Sequence, residues 1–110
     1  MFGSSVPVVE VSTVPADGYL LDVREADEWR AGHAPSAVHI PLGELAQRAA
    51  EVPRDRQVYV VCRVGGRSAQ AVRALNDAGW TAANVAGGMS AWALAGRDMT
   101  SDTGADPAVV

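Results

Sequence analysis

A second cysteine is missing from this 110-residue chain, so Cys62 has no partner for an internal disulfide. Stability must then come from a buried core, which a domain of this length can supply by burying roughly two-thirds of the surface of its unfolded chain. Long apolar runs are also missing: nothing approaches the roughly 20 residues that a membrane span needs. No basic residue precedes Arg24 and no apolar stretch precedes Ala16-Asp17-Gly18, so the start lacks the form of a secretory signal. A cytoplasmic location is expected, where reducing conditions keep a lone thiol available. His33, His39 and Cys62 match no paired zinc-ligand spacing, so no metal and no organic cofactor are expected, and the histidines are assigned to turn and strand roles. Repeats are absent, and no low-complexity segment interrupts the first 96 residues.

Positive charge is in deficit, with a formal net charge of −4 and a pI near 4.9, which argues against nucleic acid or an anionic membrane as the main partner. The exception is local. Between Cys62 and Leu75 stand Arg63, Arg67 and Arg73 with no carboxylate among them, a stretch suited to a small anion.

What is present reads as one α/β domain over residues 1–96, followed by a loosely held extension over 97–110 in which Thr, Ser, Asp, Gly and Pro outnumber apolar residues. Short apolar runs at Val8–Val11, Tyr19–Asp22, Ala37–Ile40, Val58–Cys62 and Ala82–Val85 alternate with helical patterns, the sequence form of a largely parallel sheet. Val58-Tyr59-Val60-Val61-Cys62 is apolar on both alternating faces, so it is predicted as a central strand covered on each side. Leu45, Ala49 and Val52 repeat at helical spacing, as do Val72, Leu75 and Gly79, the last suited to a helix stop. Further helices are predicted over Ala26–Ala31 and about Met89–Ala95, with Trp29 and Trp92 turned inward as core.

The chemistry is concentrated in the order strand, cysteine, glycine-containing loop, helix. Cys62 falls at the end of the central strand, and Arg63, Val64, Gly65, Gly66 and Arg67 lead to a helix predicted to start near Arg67 or Ser68. Gly65 and Gly66 allow backbone angles that other residues avoid, so successive N–H groups can converge on one space backed by the helix N-terminus. Only a thiolate attacks, and a free thiol ionises near about 8.5. The helix end accounts for about one pKa unit of lowering, and Arg63 and Arg67 are expected to add to it while drawing in an anionic donor.

Leu20-Leu21-Asp22-Val23-Arg24 through Gly32-His33-Ala34-Pro35 to Pro41-Leu42, then Val58–Ser68, then Val85-Ala86-Gly87-Gly88 to Trp92, resemble in this order and spacing the rhodanese-like domain family across roughly Val9 to Gly96. The resemblance implies a three-layer α/β fold with a central five-stranded parallel sheet and helices on both faces. It implies an active-site loop opening at Cys62 and sulfur transfer through a cysteine persulfide. Asp22 and Arg24 would then form an Asp-x-Arg element, Gly32 and His33 a Gly-His turn, and Gly87, Gly88 and Trp92 the closing Gly-Gly element. Ala34 and Ser36 depart from the usual Ile and Gly beside Pro35, in a turn where they should leave sulfur chemistry intact. Arg24 is expected to pair with Glu28 one helical turn later and Asp22 to bond nearby loop backbone, both as structural support.

The expected function is a thiosulfate sulfurtransferase in which Cys62 is the nucleophile and Arg63 to Ser68 bind the donor. Its partners are a small anionic sulfur donor and an acceptor such as cyanide, a thiol or a protein. Phosphatase or arsenate-reductase chemistry is the main alternative, because related phosphatases share the fold and the Asp-x-Arg and Gly-His elements. Their loops place the arginine six positions after the cysteine, whereas Arg67 comes five after Cys62 and position six is Ser68. The loop also offers no Asp or Glu to protonate a leaving oxygen. A non-catalytic persulfide carrier or redox sensor is the third reading, although a sensor often uses a resolving cysteine that this chain lacks.

Overall fold

The computed structural model describes residues 6–110; the first five residues of the expected 1–96 domain lie outside the described residues. Five strands, β1 (Val8–Val9), β2 (Tyr19–Asp22), β3 (Val38–His39), β4 (Val58–Val61) and β5 (Ala82–Val85), form one sheet in the order β1-β5-β4-β2-β3. Every neighbouring pair is parallel. The helices are α1 (Ala26–Ala31), α2 (Leu45–Arg48), α3 (Gly66–Asp77) and α4 (Gly88–Leu94). This is the expected α/β architecture with a five-stranded parallel sheet.

The apolar strand β4 lies at the centre of the sheet and feeds two cores by simple alternation. Val58, Val60 and Cys62 join Leu21 of β2, Leu45 of α2 and Ala71, Val72 and Leu75 of α3 on one face. Val61 joins Leu20 of β2, Val85 of β5 and Met89 and Trp92 of α4 on the other. The sheet is therefore covered on both sides, and the chain leaves its central strand at Cys62.

Four elements are shorter than the apolar pattern suggests, β4 by a single residue, since it ends at Val61 before Cys62. β1 ends at Val9 because Val11–Thr13 turns into a 3₁₀ segment, and β3 spans only Val38–His39, although Ile40 still donates its N–H to Asp22 O at 3.1 Å. The predicted helix across Leu45, Ala49 and Val52 is α2 followed by a 3₁₀ turn over Ala49–Glu51. Pro53 follows Val52, and the residue before a proline is pushed out of helical conformation.

The C-terminal segment, expected to be loose, folds back over α1. Thr100 and His33 exchange backbone hydrogen bonds at 2.8 Å each way, Asp102 N–H reaches Arg30 O, and Ala108 N–H reaches Ala31 O. Arg97 stacks over Trp92 at 4.2 Å and donates to Val11 O and Val14 O. Polar composition concealed this because the contacts are mostly made by the backbone. No helix among the described residues is long and apolar enough to cross a membrane.

Candidate active site

Cys62 stands one residue past β4, at the carboxyl edge of the sheet where ligands of parallel α/β folds collect. The chain reverses over it through Gly65, whose φ of 120° lies in the left-handed region that glycine tolerates. Gly66, expected to share that role, instead has ordinary φ and opens α3 as its first residue, one position earlier than predicted. The reversal aims Gly65 N–H at Cys62 Sγ at 3.1 Å, Ser68 N–H at 3.3 Å and Ser68 Oγ at 3.2 Å. The side chain is 1% exposed, so the sulfur is approached through the loop.

Burial pushes the Cys62 thiol up, but the Ser68 hydroxyl and the N–H groups of Ser68, Gly65 and Val64 outweigh it and hold the thiol below its ordinary value. Ser68 is itself buried and lies 2.6 Å from Asn84 Oδ1, while Asn84 Nδ2 donates to Gly65 O at 3.1 Å. The hydroxyl has one proton and two acceptors. It faces both Asn84 Oδ1 and Cys62 Sγ.

Arg67 acts on the sulfur only through its charge and makes no hydrogen bond to it. Arg67 points to α1, where its Nη1 and Nη2 donate to Glu28 Oε1 and Oε2 at 2.7 and 2.9 Å. Glu28 is held down to about 2, first by the Arg67 hydrogen bonds, against burial, and further by the Glu25 N–H. Arg63 is exposed, with no side-chain hydrogen bond among those of the described residues. What lowers the thiol is therefore the hydroxyl and backbone dipoles of the loop.

A family model described as the rhodanese-like domain matches residues 10–95. The chain belongs to the rhodanese-like domain family. It is 36% identical over 89 residues to a sulfurtransferase from Allochromatium vinosum, covering 80% of this chain and 83% of that one. It is 38% identical over 96 residues to YrkF of Bacillus subtilis, which bears a sulfur-carrier name, covering 81% of this chain and 52% of that one. Among solved structures it resembles a rhodanese-related protein from Thermoplasma volcanium, with TM-score 0.81, 29% identity and coverage of 86% and 97%. A thiosulfate sulfurtransferase from Pseudomonas aeruginosa matches with TM-score 0.79 and 28% identity, over 89% of this chain and 21% of that one. The chain thus spans about half of the B. subtilis relative and a fifth of the P. aeruginosa enzyme.

In this rhodanese-like domain the Asp-x-Arg element is an internal brace. Residues two apart in extended chain share a side, and Asp22 and Arg24 meet each other there, not Glu28 as expected. Arg24 Nη2 lies 2.8 Å from Asp22 Oδ2 and donates onward to Gly32 O at 2.8 Å. Both side chains are fully buried, and Asp22 Oδ1 also accepts the Arg24 N–H. The pair ties the end of β2 to the Gly-His turn. His33 and His39 stack on Trp29 with ring centroids 3.6 and 4.7 Å away, and His39 Nε2 lies 2.7 Å from Arg24 O. Trp29 is accordingly half-buried in this stack, outside the main core, whereas Trp92 is buried as expected.

The closing Gly-Gly element presses against the start of the loop. Met89 N–H donates to Cys62 O at 2.8 Å and Ser90 N–H to Arg63 O at 3.0 Å, so the first turn of α4 holds the loop carbonyls. A Cβ on Gly88 would lie 2.4 Å from Cys62 O, and its φ is +57°. Asn84 escaped sequence reasoning, and Glu28 was expected beside Arg24 where it meets Arg67 instead. Asn84 left one signal, a polar residue inside the apolar run Ala82–Val85 that must find a partner when buried. The pairing of Glu28 with Arg67 left none, because the two lie 39 residues apart.

Proposed function

We propose that this domain is a sulfurtransferase that moves sulfane sulfur from thiosulfate or another persulfide donor to cyanide, a thiol or a partner protein through a persulfide on Cys62. The observation that carries this reading is the convergence of Gly65 N–H, Ser68 N–H and Ser68 Oγ on Cys62 Sγ. Such donors stabilise a sulfur anion, first the thiolate and then the persulfide. In the first step the thiolate attacks the outer sulfur of thiosulfate: the Cys62 sulfur–sulfur bond forms, the donor's sulfur–sulfur bond breaks, and sulfite leaves with the electron pair. Cyanide then attacks the terminal sulfur, releasing thiocyanate and restoring the thiolate. Arg63 to Ser68 form the donor-binding loop, and Asp22 and Arg24 support it from β2. No cofactor is required by either step.

Phosphate-ester chemistry is disfavoured beyond loop length, because Glu28, the carboxylate bonded to the loop arginine, stays ionised and has no proton to give a leaving oxygen. Intact-protein mass measurement tests the reading. Thiosulfate should add the mass of one sulfur atom, cyanide should remove it as thiocyanate, and Cys62→Ala should do neither. Thiocyanate formed by wild-type protein that never carries the added sulfur would overturn the persulfide route. Aryl-phosphate hydrolysis through Cys62 outpacing sulfur transfer would replace it with the phosphatase reading.

A further inference from the structure

Resting on the sulfurtransferase reading above, we propose that Glu28 selects the sulfur donor by charge, favouring organic persulfides that are neutral or carry one negative charge over the dianion thiosulfate. The loop arginine that sequence assigns to anion capture is occupied. Both Nη atoms of Arg67 are bonded to the two oxygens of Glu28, which cancels its charge at contact distance. Glu28 is also fixed from its own helix. It is the third residue of α1, its Oε1 accepts the Glu25 N–H at 2.9 Å in a capping box, and its side chain is only 14% exposed.

The charge around the loop mouth follows. Arg67 is bonded to Glu28, and both Glu25 and Cys62 lie close enough to Arg67 to act on its charge. Around Arg67 one positive charge meets three negative when Cys62 is a thiolate, and Arg24, which also acts on Glu28, is balanced by its buried partner Asp22, so the reactive state is net negative. A dianion must therefore either displace Glu28 from Arg67 or enter against repulsion, with only the exposed and solvent-screened Arg63 to attract it. An organic persulfide avoids both costs. When the donor is in its neutral form R–S–SH, the Cys62 thiolate attacks the terminal sulfur, the new sulfur–sulfur bond forms, the donor's own sulfur–sulfur bond breaks, and RS⁻ leaves with the electron pair. The proton stays on the transferred sulfur, and no other reactant is consumed.

The test measures loading of Cys62 by thiosulfate and by 2-hydroxyethyl persulfide on the full chain, as kcat/KM from stopped reactions read by mass. Glu28→Gln keeps an oxygen for the Glu25 N–H, so the helix cap survives while Arg67 is released. The ratio of thiosulfate to persulfide kcat/KM should rise by about tenfold or more, the scale of one charge-assisted anion contact. Adding Arg67→Ala to Glu28→Gln should cancel that gain. An unchanged or lower ratio in a Glu28→Gln variant that still loads from the persulfide would overturn the assignment. A second measurement needs no variant: added salt should raise wild-type kcat/KM for thiosulfate, since it screens repulsion, and a fall would overturn the proposal. If wild-type Cys62 accepts sulfur from neither donor, the sulfurtransferase reading fails together with this one, whereas transfer that prefers thiosulfate removes only the role of Glu28.

Discussion

At Cys62 the competition is between burial, which favours the neutral thiol, and three short donors that favour the anion; the donors win, and the thiol is lowered. Alkylation by iodoacetamide, followed against pH, should therefore show its inflection below the ordinary thiol value of about 8.5. Among the lowering contacts the Ser68 hydroxyl is first, so Ser68→Ala should move the inflection upward while Cys62 remains reactive. An ordinary inflection in the wild type would remove the donors' role. The stability linkage has a fixed sign. A thiol lowered in the folded state contributes stability above its unfolded pKa, and that contribution is lost as pH falls through the lowered value. Glu28 behaves in the same sense at lower pH: its contribution is present above its ordinary carboxylate value and is lost on the way down to about 2.

Between elements, the loop is clamped by helix ends that sequence spacing alone did not connect. α3 supplies Ser68, β5 supplies Asn84, and α4 holds the carbonyls of Cys62 and Arg63 through Met89 and Ser90. Gly88 permits that last approach, since any Cβ there meets loop backbone at 2.4 to 2.7 Å from a left-handed φ. Left-handed backbone alone costs a non-glycine residue about 1–2 kcal/mol, and the clash adds to it. Gly88→Ala should therefore lower both the urea midpoint and sulfur loading. Gly66→Ala is the contrast, with ordinary φ and no atom within 4 Å of the added carbon. It should hold the midpoint or raise stability by about 0.4–1 kcal/mol. Equal behaviour of the two variants would show that α4 does not clamp the loop.

Across the whole molecule, the segment beyond Gly96 acts as a strap joining both ends of the chain. It bonds Arg97 to the carbonyls of Val11 and Val14, gives the Trp92 indole its acceptor at Asp98 O, and pairs Thr100 with His33. With net worth near 1 kcal/mol for a typical hydrogen bond, truncation after Gly96 should cost about 2–4 kcal/mol by urea unfolding. An unchanged unfolding curve would return the segment to the loose extension that its composition suggests. Gly32 records the same packing, because a Cβ there would stand 2.6 Å from Ala108 O.

Local chemistry was readable from residue order. β2, β5 and α1 fall where apolar runs and helical patterns put them, and the turn of the chain from β4 through Cys62 into α3 is legible because strand, cysteine, glycine and helix are consecutive in the chain. Asp22 does accept a nearby backbone N–H, that of Arg24, as its position suggests, whereas Arg24 pairs with Asp22 and not with Glu28. What proximity in sequence cannot contain is the choice among distant partners. Arg67 had carboxylates available throughout an acidic chain, and only the packing of α1 beside the loop made Glu28 the one it meets. The tail likewise looked unattached until its backbone N–H and C=O groups found α1, since such groups are identical in every residue and leave no trace in composition. The chain order therefore determined the candidate loop that opens at Cys62, while long-range packing set the electrostatics of that loop, because charge interactions depend on distance in space and not on separation along the chain.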